Sequence, residues 1–209
     1  DLNKNQYLII DNEKKTITFK QGKWTINKDL IIPKEYTLII KKNTIIDLIN
    51  QSVLISYSPI DLRGSKKEPI IFLSSDSSGH GIIVMQAGNR SILKNVIFKD
   101  LSMKNKIGFN FTGCVTFYES DVDIHSTVFN NLKAEDALNI IRSEFSLYNT
   151  TFNNIFSDAV DIDFGKGIIE DSIFSQVGND GIDISGSDVK ITNSKLFNSG
   201  DKGISIGEE

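Results

Sequence analysis

The chain has 209 residues and a formal net charge of −4, long enough for one elongated domain with a substantial core. The charge is divided: residues 1–100 carry 15 Lys+Arg against 10 Asp+Glu, giving +5, and residues 101–209 carry 8 against 17, giving −9. The acidic second half argues against nucleic acid as a partner, no run of about 18 apolar residues exists to span a membrane, and the single cysteine, Cys114, excludes an internal disulfide.

In chain order, residues 1–15 are polar and irregular and are a candidate amino-terminal cap. Short strands are then predicted at Thr16–Phe19, Trp24–Ile26, Leu30–Ile32, Thr37–Ile40, Thr44–Leu48, Val53–Tyr57 and Ile70–Leu73. Turn signals separate them, among them Gln21-Gly22, Pro33-Lys34 and Arg63-Gly64-Ser65. Ser75–Gly81 reads as a loop, and strands resume at Gly81–Met85 and Ser91–Phe98. Residues 102–109 read as an insertion, and insertions in solenoids tend to border a binding groove. The basic first half lacks an arginine cluster or aromatic platform, so its lysines read as a solvated face.

From residue 114 onward the sequence repeats. Asp136-Ala-Leu-Asn-Ile, Asp158-Ala-Val-Asp-Ile, Asp180-Gly-Ile-Asp-Ile and Lys202-Gly-Ile-Ser-Ile start 22 residues apart. Phe129, Phe152, Phe174 and Leu196 recur at steps of 23, 22 and 22, as do Ile124, Leu147, Ile169 and Ile191. A period in the twenties rich in β-branched residues predicts a parallel β-helix, all-β, with about 22 residues per turn and a right-handed crossover. Each turn is expected to carry at least two strands and a returning apolar turn. The final Ile206-Gly-Glu-Glu falls in mid-turn, and a further segment or a partner is expected to cover that end.

Alternation assigns the faces. Leu138, Ile140, Val160, Ile162, Ile182 and Ile184 form an inward wall, so Asn139, Asp161, Asp183 and Ser205 form an outward file, with Asp163 two residues beyond Asp161. Stacked turns lie about 4.8 Å apart, and like charges placed opposite one another destabilise a sheet. Three chemistries would answer that repulsion. Asp161, Asp163 and Asp183 are candidate ligands for Ca2+, which takes carboxylate oxygens. Asp161 with Asp163, or Asp158 with Asp183, meets the separation of about 6.5–9.5 Å used by inverting glycosidases. In a uronate lyase or epimerase, Lys202 would be the base that removes a proton from the sugar. Against these stands a purely structural reading, in which Asp136, Asp158 and Asp180 bond backbone amides at the strand start.

Ser157-Asp158-Ala-Val-Asp161, Asn179-Asp180-Gly-Ile-Asp183 and Asp201-Lys202-Gly-Ile-Ser-Ile-Gly207 together resemble the pectin-lyase-like right-handed β-helix superfamily, and within it three successive signatures of polygalacturonases. The resemblance implies that Asp158 and Asp180 are catalytic. Asn179 stands where that family has an Asp, and Lys202 where it has a His. The last segment is also similar to β-helix segments of bacterial spore-coat-H-like proteins.

The expected function is therefore that of an extracytoplasmic protein, secreted, periplasmic or at the cell surface, that binds polysaccharide and is a candidate to cleave it. Its catalytic candidates are Asp158, Asp180 and Lys202, and its sugar-binding candidates are Asp161, Asp163, Asp183, Asn139 and Ser205. The competing expectation is a non-catalytic structural or coat module. Cys114 falls in a small-residue column with Ala137, Ala159 and Gly181 and reads as packing. Asn130-Asn131 and Asn153-Asn154 read as a turn ladder, Glu119 with Arg142 as a surface ion pair, and His80 and His125 as structural. Tyr118 and Phe164 face outward, where aromatic rings suit sugar stacking.

Overall fold

The computed structural model describes residues 2, 5–103 and 111–207, and these form a parallel β-solenoid. Each turn contributes one strand to each of three sheets, which contain nine, eight and eight strands. All strand pairs are parallel except one: Leu8–Asp11 lies antiparallel to Thr16–Phe19. Just before it, Tyr7 stacks on Phe19 at 5.4 Å and approaches Trp24 at 6.0 Å.

The 22-residue interval holds in the second half, where Val160 pairs with Ile182 and Ile182 with Ile204. The first turns are close to this length, with Leu38 paired to Ile60, but the middle turns are longer, with extra residues at the corners: Leu54 pairs with Ile82 and Ile82 with Val115. The 102–109 insertion enlarges the last of these. Only its first two residues and the stretch after it are described, and residues 104–110 lie outside the described residues.

Three strands per turn meet the expected minimum of two, the returning apolar segment being itself a strand. Ile60–Arg63 is a strand in its own right, and the run Ser91–Phe98 is two strands, Ser91–Lys94 and Val96–Lys99, bent at Asn95. The bend is a single left-handed residue, with φ 51° at Asn95, 50° at Asn149 and 50° at Asn193 at the same corner of other turns. Asn tolerates that conformation better than most residues. The other corners repeat the device at Glu119, Arg142 and Phe164, where φ is 47°, 47° and 52°.

Side chains stack as the backbone does. Phe72, Phe98, Phe129, Phe152 and Phe174 form one internal column with ring centroids 4.5–5.3 Å apart. All five are fully buried, and burial of each contributes about 2 kcal/mol, with roughly 1 kcal/mol more for each stacked pair. Asn153 donates to Asn130 and Asn154 to Asn131, both at 3.0 Å, so the expected amide ladder is present. A hydroxyl ladder that the sequence reading did not identify lines another corner. There Ser143 Oγ accepts from the Ser120 amide and Ser187 Oγ from the Gly165 amide. In the last described turn, Phe197 is 49% and Ile206 76% exposed.

Candidate functional site

The acidic face lies on the sheet containing strands Gly113–Tyr118, Asp136–Ile141, Asp158–Asp163, Ile182–Ser185 and Ile204–Ile206. Thr116, Asn139, Asp161, Asp183 and Ser205 pair in register from turn to turn, and the isoleucines between them face the core. Ile141, Asp163 and Ser185 form the next outward file.

The file is not uniformly open to solvent. Asn139 was expected to face solvent and is only 1% exposed, whereas Asp161, Asp183 and Ser205 are half-buried. It is packed between Thr116 and Gly113, so closely that a Cβ on Gly113 would lie 2.8 Å from its own. Asn139 Nδ2 donates to Asp161 Oδ2 at 2.8 Å, and among the described residues the buried Oδ1 of Asn139 has no hydrogen-bond partner.

Burial pushes the Asp161 carboxyl up to about 7, with Asp163, Asp183 and Asp158 adding repulsion and the Asn139 amide opposing the rise. Asp163 is raised for the same reasons, burial first and Asp183 second. Deeper still is Asp136, 2% exposed, whose Oδ2 has no hydrogen-bond partner among the described residues. Burial lifts it to about 8, against a hydrogen bond from the Thr112 hydroxyl. Asp136 and Asp161 are thus disposed to keep their protons near neutral pH, and of these two the half-buried Asp161 is the accessible one.

Asp158 and Asp180 have a different occupation. Asp158 Oδ1 accepts from the Asp180 backbone amide at 2.8 Å and from Asn179 Nδ2 at 2.7 Å. Asp180 Oδ1 accepts from the Lys202 backbone amide at 2.8 Å. Each carboxylate thus ties its own turn to the next, as the structural reading of these positions anticipated. Lys202 Nζ sits 2.5 Å from Asp201, and that hydrogen bond, with Asp180 beyond it, raises the ammonium above its usual range. A base needs the opposite shift.

Among the described residues, no group of three or more His, Cys, Asp or Glu side chains is arranged to hold a metal ion, so Asp161, Asp163 and Asp183 would have to draw together to bind Ca2+.

Two exposed phenylalanines that the alternation pattern did not bring together bracket the acidic strand. Phe156 precedes Asp158–Asp163 and is 73% exposed, and Phe164 follows it and is 64% exposed. Arg142 lies over the Phe164 ring at 5.7 Å. Tyr118, half-buried, accepts a hydrogen bond from Arg142 at 3.4 Å and meets Phe111 at 6.0 Å. Phe111 and Met103, on either side of residues 104–110, pack against Val53, Ile55 and Ile83 on the outer face of this same sheet. Glu119 and Arg142 form the expected ion pair, at 3.9 Å.

The remaining candidates are placed elsewhere. Cys114 is buried, its thiol pushed up to about 12 by burial, which removes it as a nucleophile. His80 is buried, and His125 lies half-buried on the nine-stranded sheet. No family model matches this chain, and no match is found to it among curated proteins or solved structures.

Proposed function

We propose that the protein is an extracytoplasmic polysaccharide-binding β-helix of the pectin-lyase-like kind, and that its acidic face cleaves glycosidic bonds. The observation that carries the reading is Asp161, a half-buried carboxyl raised to about 7 that stands opposite Asp183. A carboxyl that keeps its proton near neutral pH is suited to protonate the oxygen of a scissile glycosidic bond. Asp183, opposite it at about the 4.8 Å spacing of stacked turns, suits the shorter separation of a retaining pair: its carboxylate adds to the anomeric carbon as that C–O bond breaks, and a water that gives its proton to Asp161 then hydrolyses the glycosyl ester. Asp163 and Ser205 lie within the same face and supply hydrogen bonds to neighbouring hydroxyls. Phe156 and Phe164 offer apolar rings at the two ends of the strand, suited to the apolar faces of sugars. In this reading Asp158 and Asp180 position the strands and do not react.

A second reading is favoured by those same two residues. Carboxylates engaged with backbone amides are what a structural coat module requires, and such a module needs no chemistry at Asp161. The two separate in one experiment. Reducing-end release is measured from polyuronates and neutral glycans, with and without calcium, for the wild type and Asp161→Asn. The enzyme reading expects release by the wild type and its loss in the variant. Equal inertness of both on every glycan would leave the structural module.

A further inference from the structure

We infer that a second binding surface, for a linear anionic polysaccharide, runs along the nine-stranded sheet, away from the acidic face. Lys41, Arg63, Lys94 and His125 occupy one outward file on four successive turns, paired in register. Stacked turns place these side chains about 4.8 Å apart. Lys41, Arg63 and Lys94 give the file three successive charges of one sign, which oppose sheet stability as like charges opposite one another do. The neighbouring carboxylates relieve only part of it. Asp61 is taken by Arg63 Nε at 2.6 Å, and Asp123 accepts from Arg90 at 3.2 Å and from Ser146 at 2.8 Å. Lys41 and Lys94 are exposed and, among the described residues, have no ion-pair partner. Lys66 and Lys67 lie exposed in the turn that follows Arg63, extending the charge sideways.

The surface is shaped as well as charged. A depression of about 380 Å³ opens along the file, lined by Arg63, Lys94 and His125 together with Ile92, Ser126, Tyr148 and Asp123, the last engaged by Arg90 and Ser146. Tyr148 continues the file one turn beyond His125, its ring 6.0 Å away. One cation per turn from Lys41 to Lys94 matches a polymer with one anionic group per short, regular step, as an extended chain of uronate or sulfated sugars provides. The apolar Ile92 and the Tyr148 ring suit the CH faces of sugars. Single-stranded nucleic acid requires aromatic platforms distributed along the groove, and this file carries one ring, at its end.

The test is affinity electrophoresis of the whole chain through gels containing polygalacturonate, dextran sulfate, neutral dextran or oligo(dT), across a salt series. The wild type is expected to be retarded by one or both anionic glycans and not by dextran. In Lys41→Gln/Lys94→Gln the slope of log Kd against log salt should fall by about one for each lysine removed. Lys195→Gln, an exposed lysine on a third sheet, should keep the wild-type slope, and reducing-end release by Lys41→Gln/Lys94→Gln should match the wild type, so failure here is distinct from failure of the hydrolase reading. Both lysines are exposed, and thermal melting of the double variant should match or exceed the wild type once the repulsion is gone. No retardation by either anionic glycan, an unchanged salt slope in the double variant, or stronger retardation by oligo(dT) would overturn the inference.

Discussion

Asp136→Asn tests how the acidic face stores charge. Asp136 is 2% exposed, and burial raises its carboxyl from 3.8 to about 8. Its folded value therefore lies above its unfolded value. Between pH about 4 and 8 the folded chain holds a proton that the unfolded chain has released. Its contribution to stability is complete below pH about 4 and is lost as pH rises toward 8, at about 1.4 kcal/mol per pH unit. From pH 5 to 7 this amounts to about 2–3 kcal/mol, with part of the effect shared with Asp161 and Asp158, which repel the same group. Asn has nearly the same shape, is neutral at every pH and can still meet the Thr112 hydroxyl. Urea unfolding at pH 5, 6 and 7 should show the wild type losing stability faster than Asp136→Asn, so that the variant gains relative to it as pH rises. Equal dependence on pH in the two proteins would refute the burial argument.

Other perturbations follow from the stacking. Phe152→Ala removes the ring between Phe129 and Phe174 and should cost about 3–5 kcal/mol in urea unfolding, far more than Phe156→Ala at an exposed position. Asp158→Ala strands the buried Asp180 amide and the Asn179 side chain and should cost about 1–3 kcal/mol, whereas Asp158→Asn keeps an acceptor and should recover part of it. Gly178→Ala would bring a Cβ within 1.9 Å of the Phe156 carbonyl oxygen, so a clear drop in melting temperature is expected, larger than for Gly88→Ala, which has open space but a positive φ. Cys114 should resist a thiol reagent in the native protein and react once it is unfolded, because burial keeps it neutral.

The solenoid was legible because its repeat is written in large side chains. Phe129, Phe152 and Phe174 recur at almost constant intervals, and the isoleucines at 182 and 184 alternate with polar residues, so register and facing followed together. The third strand was harder to read. Leu93 and Val96 both face the core, a spacing of three that no single strand gives, and the left-handed kink at Asn95 that permits it leaves no apolar signal. In the acidic face, the file from Asn139 to Ser205 was readable from alternation. How far each member is buried was not, because the cover over Asn139 and Asp136 comes from Thr112 and Gly113 on the preceding turn. Asp158 and Asp180 show the same limit. Sequence offered both a catalytic and a backbone-binding role, and only geometry supplies the amides they bind. The basic file escaped notice because its turns are of unequal length, so Lys41, Arg63, Lys94 and His125 share no fixed period.

The most direct measurement is the carboxyl-carbon NMR titration of Asp161, assigned by its loss in Asp161→Asn. A midpoint near 7 is expected, falling when Asp183 is replaced by Asn, since that carboxylate is one of the charges holding the proton on. A midpoint near 4, indifferent to Asp183, would contradict the account of this face as a proton-holding site for glycan cleavage.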